Sequence, residues 1–104
     1  MTNFLYFVFP RLFGCRRFIF EGLGGDDGLR RMLEALQKLG AVKMGETGLG
    51  YFDNYYFKLD GKPAGLIFEE YQELKVIAPD AVIARIESSL GSKSVAVSRR
   101  EFCR

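Results

Sequence analysis

Apolar residues in the first third of the chain alternate and then change to a helical spacing. In residues 16–21, Phe18 and Phe20 fall on one side of an extended segment, while Arg17 and Ile19 fall on the other. This alternation is typical of a half-buried strand. After a glycine-rich break, apolar residues recur at helical spacing, at Leu29, Met32, Leu33, Leu36 and Leu39. This spacing predicts a helix.

Both ends of that helix have capping signals. Asp26 or Asp27 precedes the apolar stripe and can accept hydrogen bonds from the free amides of the first turn. Gly40 follows the stripe, where a left-handed residue usually ends a helix. We therefore expect a helix that ends at about residue 40.

The middle of the chain predicts a hairpin. Residues 51–70 form two aromatic-rich runs joined by Asp60 and Gly61, and this dipeptide tolerates positive φ at both turn positions. Residues 74–78 predict a third strand or a continuation of the second. Pro79 and Asp80 open a second helix that ends at Gly91, and residues 94–98 can form a last strand.

Two further segments are harder to assign. Residues 4–9 are apolar on both faces and end at Pro10, so they predict a strand that is either buried or paired with another chain. Residues 41–50 contain Gly45, Gly48 and Gly50, so we expect a mobile loop that includes at most a short strand.

Taken in order, these elements predict one α+β domain over residues 1–104, with residues 99–104 as a flexible basic tail. The order matches the βαββαβ arrangement of the ferredoxin-like fold, in which two helices cover one face of an antiparallel sheet, with an extra N-terminal strand. If the strand near residue 95 does not form, the alternative is an antiparallel meander plus two helices.

Composition indicates a cytoplasmic binding protein and gives little support to catalysis. The 104 residues include 48% hydrophobic and 27% charged residues, no His, and no apolar run long enough for a membrane span. Two cysteines and no histidine do not make a zinc site, and the glycines of residues 22–28 lack the spacing of a dinucleotide-binding loop. We therefore expect no cofactor and no enzymatic activity.

The cysteines suggest one further hypothesis. If the last strand pairs antiparallel with residues 16–21, Cys15 and Cys103 become neighbours, and a disulfide between them is geometrically possible. The reducing cytoplasm argues against its formation.

Ten Phe and five Tyr are a heavy aromatic load for one small core, so some rings are expected to meet a partner. The expected function is self-association as a homodimer, through either an aromatic sheet face or the N-terminal strand. The candidate contact residues are Phe4, Tyr6, Phe7, Phe9, Phe52 and Tyr56. The first alternative is a small ligand in a pocket framed by glycine-rich loops and lined by Tyr51, Tyr55 and Tyr71. The second, less favoured because the net charge is only +2, is weak nucleic-acid binding through Arg16, Arg17, Arg99 and Arg100.

The hairpin and the closing helix also carry a resemblance. The segment from Tyr55-Tyr-Phe-Lys-Leu-Asp-Gly through Leu66-Ile-Phe-Glu-Glu-Tyr to residues 80–90 resembles small single-domain proteins of bacterial mobile gene cassettes, such as those of integrons, and also immunity-type proteins. The resemblance implies a protein that acts by binding, for example to a toxin, a metabolite or a second copy of itself. It implies no functional residue.

Overall fold

The computed structural model of the chain describes residues 5–7, 9–48, 52–70 and 72–102. Two short 3₁₀ turns, Leu5–Phe7 and Pro10–Phe13, come first and are called the N-terminal turns. The described strands are β1 (Arg16–Gly24), β2 (Val42–Gly48), β3 (Phe52–Leu59), β4 (Lys62–Glu69), β5 (Glu73–Ala78) and β6 (Val95–Val97). The described helices are α1 (Gly25–Lys38), α2 (Asp80–Leu90) and α3 (Arg99–Phe102).

The six strands form one antiparallel sheet in the order β2-β3-β4-β5-β1-β6. The α+β class predicted from the sequence is confirmed. Strand β6 does form, so the condition for the meander alternative is not met, although β2 to β5 are consecutive neighbours in the sheet.

The predictions of the hairpin turn and of the helix C-terminal ends are confirmed. The predicted N-cap of α1 is wrong: the N-cap is Gly24, and Asp26 and Asp27 lie inside the first turn. Asp60 and Gly61 have φ values of 55° and 76°, which join β3 to β4 through a tight turn in which Leu59 faces Lys62. The end of α1 has the two hydrogen bonds of a Schellman motif, from Ala41 to Leu36 and from Gly40 to Gln37. Helix α2 runs from Asp80 to a left-handed Gly91, as predicted.

Two segments differ from the sequence prediction. Leu5–Phe7 is a 3₁₀ turn and not part of a strand, because the chain curls so that the amide of Phe9 donates to the carbonyl of Leu5. Residues 42–48 form the edge strand β2 and not a loop, since backbone pairing with β3 tolerates the glycines and absorbs an irregularity between Lys43 and Gly45.

The sheet is covered on both sides. One side, the helix face, packs against α1 and α2 to form the main core, which includes Phe18, Phe20, Met32, Leu36, Leu66, Val76 and Ile83. The other side, the turn face, is covered by the N-terminal turns and α3 around Tyr6, Cys15, Tyr56, Ile77 and Phe102. No helix of the described residues is both long and apolar enough to cross a membrane.

Gly28 allows α1 to pack closely on the end of β1. A Cβ atom built at Gly28 would lie 2.8 Å from the carbonyl carbon of Leu23, and that backbone cannot yield as a flexible side chain can. At an open helical position, Gly→Ala stabilises by about 1 kcal/mol. Here we expect Gly28→Ala to lower the free energy of unfolding by about 2 kcal/mol, because α1 must move away from the sheet.

Urea unfolding followed by circular dichroism measures this effect. The matched control is Ser89→Ala on the exposed side of α2, which should change stability by less than about 0.5 kcal/mol. A more stable Gly28→Ala variant would contradict the close packing.

Candidate functional site: two adjoining basic clefts

The turn face carries a cleft with several arginines and no acid in its lining. This arginine cleft has a volume of about 500 Å³ and lies where the second N-terminal turn, β1 and the start of α3 meet. Its charged lining residues are Arg11, Arg16, Arg17 and Arg99. Because no carboxylate lines it, every formal charge around the cleft is positive.

Strand pairing and a helix cap bring Arg17 and Arg99 to this cleft. Arg17 lies in β1 between its pairing partners Ile77 and Val97, which belong to the core of the turn face. Ser98 and Glu101 form a capping box that starts α3: the Ser98 hydroxyl accepts from the Glu101 amide at 3.2 Å, and the Glu101 carboxylate accepts from the Ser98 amide at 3.4 Å. Arg99 is therefore held at a defined place.

Arg16, the neighbour of Arg17, is engaged elsewhere. Its Nη1 lies 2.9 Å from Oδ2 of Asp80 at the start of α2, and its guanidinium lies 5.6 Å from the centre of the Phe18 ring. Adjacent residues of a strand point to opposite faces, which explains why Arg16 and Arg17 separate. Arg11, Arg17 and Arg99 have no carboxylate partner among the described residues, so their charges remain available to an anion.

A second cleft of about 290 Å³, the lysine cleft, shares Arg17 and Arg99 with the first. Four apolar residues contribute to its lining, namely Phe7, Ile67, Ile77 and Phe102. It also contains Lys75, which is only 5% exposed. The Nζ atom of Lys75 lies 3.3 Å from Oε1 of Glu69 and 5.7 Å from the centre of the Phe102 ring. The carboxylate and the ring face both stabilise the ammonium charge.

Cys15 and Tyr6 lie beneath the N-terminal turns and are not activated. Burial raises the pKa of the Cys15 thiol to about 11. Burial also raises the pKa of Tyr6, with a smaller contribution from Cys15, and the Tyr6 hydroxyl has no hydrogen-bond partner among the described residues. Both groups are therefore neutral at neutral pH, and the Cys15 thiol is a poor nucleophile.

The raised pKa of Cys15 predicts slow alkylation. At pH 8 the native thiol should react with iodoacetamide about a hundredfold more slowly than in the urea-unfolded chain, because the folded state disfavours the thiolate. A Cys103→Ser background leaves Cys15 as the single thiol to follow by mass spectrometry. Equal rates in the native and unfolded chains would mean that the thiol is not buried.

The residues of the predicted contact surface are distributed over different environments. Tyr6 and Tyr56 are buried within the chain, and the ring centres of Phe7 and Tyr56 are 4.8 Å apart. Because the N-terminal turns cover this part of the sheet, these rings are not open to a partner. Phe9 is exposed. Phe4 and the side chain of Phe52 lie outside the described residues.

The predicted ligand pocket and basic patch are also redistributed. Tyr51 and Tyr71 lie outside the described residues, and Tyr55 packs against the core of the helix face, away from both clefts. Residues 22–28 belong to β1 and α1, so they do not form a loop that frames a pocket. Of the predicted basic patch, the structure brings together Arg16, Arg17 and Arg99 in the lining of the arginine cleft, while Arg100 lines neither cleft.

Residues 99–102 form α3, anchored by the buried Phe102, where the sequence analysis expected a flexible tail. The antiparallel pairing of β1 with β6, on which the disulfide hypothesis depends, is present, with Arg17 facing Val97. Cys103 lies outside the described residues, so the disulfide itself stays a hypothesis.

Lys75, Phe102 and Arg11 are among the lining residues that the sequence analysis missed. Lys75 has a visible signal, since it interrupts the apolar run of β5. Phe102 has a sequence signal too, because it directly follows the capping box of Ser98 and Glu101. No local sequence signal places Arg11 in the cleft, because its position depends on how the N-terminal turns fold over the sheet.

Among the described residues, no three His, Cys, Asp or Glu side chains lie close enough to hold a metal ion. No family model matches the chain. Comparison with curated proteins and with solved structures likewise gave no match. The geometry of the two clefts is therefore the basis for inferring a function.

Proposed function

We propose that this protein is a small binding protein, without catalytic activity, that holds a polyanionic ligand in the arginine cleft. The observation that carries the proposal is the convergence of Arg11, Arg17 and Arg99, none paired with a carboxylate among the described residues, on a cleft lined by no acid. Unbalanced charge of one sign in a concave site attracts ligands of the opposite sign.

Arginine suits this role because its guanidinium offers several donors in one plane and matches phosphate and carboxylate geometry. A hydrogen bond between charged groups contributes about 1.5–3 kcal/mol, roughly twice a neutral one. Two or three such arginines are enough to bind a compact polyanion. The chain as a whole carries a net charge of only +2, which favours a local site over a long nucleic-acid track.

Calorimetric titration with inorganic tripolyphosphate tests the proposal. Arg17→Gln should weaken binding by about tenfold or more, because it removes a charged donor from the cleft. Arg85→Gln is the matched control: it removes the same charge from helix α2, where the Arg85 guanidinium pairs with Asp60 and lines neither cleft.

We expect Arg85→Gln to bind within about twofold of the unchanged chain, and we expect binding to weaken as salt rises. Equal losses in both variants would mean that only the overall charge matters. No binding at millimolar tripolyphosphate would reject the function.

Self-association is a second candidate, favoured by exposed apolar side chains on the N-terminal turns. These are Leu5, Phe9, Leu12 and Phe13, and Leu12 is 78% exposed. Sedimentation velocity at high micromolar concentration should then show a dimer that Leu12→Ser converts to monomer. A monomeric unchanged chain would remove this candidate.

We also propose a fold family and a cellular location for this protein. Strands β4, β5, β1 and β6 with helices α1 and α2 are proposed to be a ferredoxin-like unit into which the strands β2 and β3 are inserted. The proposed location is the reducing cytoplasm, in which a free thiol such as that of Cys15 stays reduced. The resemblance to small proteins of mobile gene cassettes also implies a binding role.

A further inference from the structure

The two clefts adjoin, because they have two lining residues in common. Arg17 and Arg99 line both, so a ligand whose anionic part contacts these arginines in the arginine cleft has its remaining atoms beside the lysine cleft. Beyond these two arginines, the lysine cleft is lined by four apolar residues, Phe7, Ile67, Ile77 and Phe102, and by the ion pair of Lys75 and Glu69. A ligand that fills both clefts must therefore be polyanionic at one end and apolar at the other.

Lys75 adds a polar requirement to the apolar end. An ammonium group has three donor protons, and Glu69 is the one hydrogen-bond acceptor of Lys75 among the described residues. Lys75 is only 5% exposed, and the lysine cleft is where its remaining donors can meet an acceptor other than Glu69. Buried donors without acceptors are costly, so an acceptor atom on the ligand would satisfy Lys75.

The volumes limit the size of the ligand. The lysine cleft, at about 290 Å³, is at the small end of ligand sites and suits a single ring system. The arginine cleft, at about 500 Å³, is large enough for a short chain of phosphates. A flat heteroaromatic ring provides both the apolar faces and the acceptor nitrogens or oxygens that this lining requires.

We propose that the ligand is a phosphorylated compound with a flat heteroaromatic ring, of the nucleoside di- or triphosphate class. Its phosphates lie among Arg11, Arg17 and Arg99, and its ring enters the lysine cleft, where Lys75 donates to a ring acceptor. This inference rests on the proposed function, since it assigns the anion of the arginine cleft to the phosphates of a larger molecule.

The experiment compares ATP with inorganic tripolyphosphate on the full chain by calorimetry. Tripolyphosphate carries the same number of phosphates and more negative charge, so electrostatics alone favour it. We expect ATP to bind about tenfold more tightly, because its ring removes apolar surface from water and pairs with Lys75.

Lys75→Met keeps most of the side-chain volume and removes the donors. It should leave tripolyphosphate affinity within about twofold, because the arginine cleft is unchanged, and it should remove most of the advantage of ATP. Circular dichroism checks that the variant folds. If it does not fold, the comparison of ATP with tripolyphosphate on the unchanged chain still decides.

The outcomes separate the two claims. Tripolyphosphate binding that depends on Arg17 but is not exceeded by ATP would overturn this inference and leave the proposed function intact. No tripolyphosphate binding at all would reject the proposed function itself. A twelve-nucleotide single strand that binds more than about tenfold tighter than ATP would also overturn the inference, in favour of a nucleic-acid ligand.

Discussion

Phe20→Ala is expected to lower the free energy of unfolding by about 4 kcal/mol, the middle of the range for truncating a buried phenyl ring. Phe20 is fully buried in β1, opposite Leu74 of β5, in the core of the helix face. Helices α1 and α2 and the sheet all contribute to that core. The cavity left by the missing ring therefore cannot close unless one of these elements moves. Urea unfolding monitored by circular dichroism gives the value.

The control for this prediction is Leu12→Ala, which truncates a large apolar side chain that is 78% exposed on the second N-terminal turn. It should cost less than about 1 kcal/mol, because little apolar surface is buried there. Similar losses in the two variants would contradict the division between a buried helix face and partly exposed turns.

Gly65→Val is expected to cost about 3 kcal/mol, although valine is normally favoured over glycine in a strand. Gly65 lies in β4 between Tyr56 and Ile77, and the N-terminal turns rest directly on it. A Cβ atom at Gly65 would lie 2.6 Å from Cζ of Phe7 and 2.8 Å from Cε2 of Tyr6. At least one of the two rings must leave the turn face.

A double variant tests that mechanism. Phe7→Ala vacates part of the space above Gly65, so Phe7→Ala combined with Gly65→Val should lose less stability than the sum of the two single changes. The coupling should be about 1 kcal/mol, measured by urea unfolding of all four proteins. Strict additivity would show that the N-terminal turns do not pack on β4.

The parts of the fold that are encoded locally were predictable. The Asp60-Gly61 turn, the Gly40 and Gly91 helix ends and the alternation in β1 each depend on residues next to one another in the chain. Strand β2 was not predictable in this way, because its extended conformation comes from pairing with β3 and not from its own glycine-rich residues. The N-terminal turns likewise depend on a sheet surface assembled from distant segments.

The sequence indicated which residue types form the site, but not which of those residues come together in space. The clusters of arginines are visible in the sequence, but the pleat of β1 decides that the guanidinium of Arg16 pairs with Asp80 while Arg17 has no carboxylate partner among the described residues. The pairing of β6 with β1 and the capping box at Ser98 then bring Arg99 to the same place. Aromatic richness suggested an open contact face, whereas Tyr6 and Tyr56 form a second small core within the chain.

An anion is proposed to bind on the turn face of the sheet. The most direct test is to titrate the ¹⁵N-labelled chain with tripolyphosphate and to follow the amide chemical shifts. We predict saturating shifts that are concentrated at Arg11, residues 15–17 and residues 96–99, with little change in α1 and α2. Shifts concentrated on the two long helices, or none at millimolar ligand, would contradict the account.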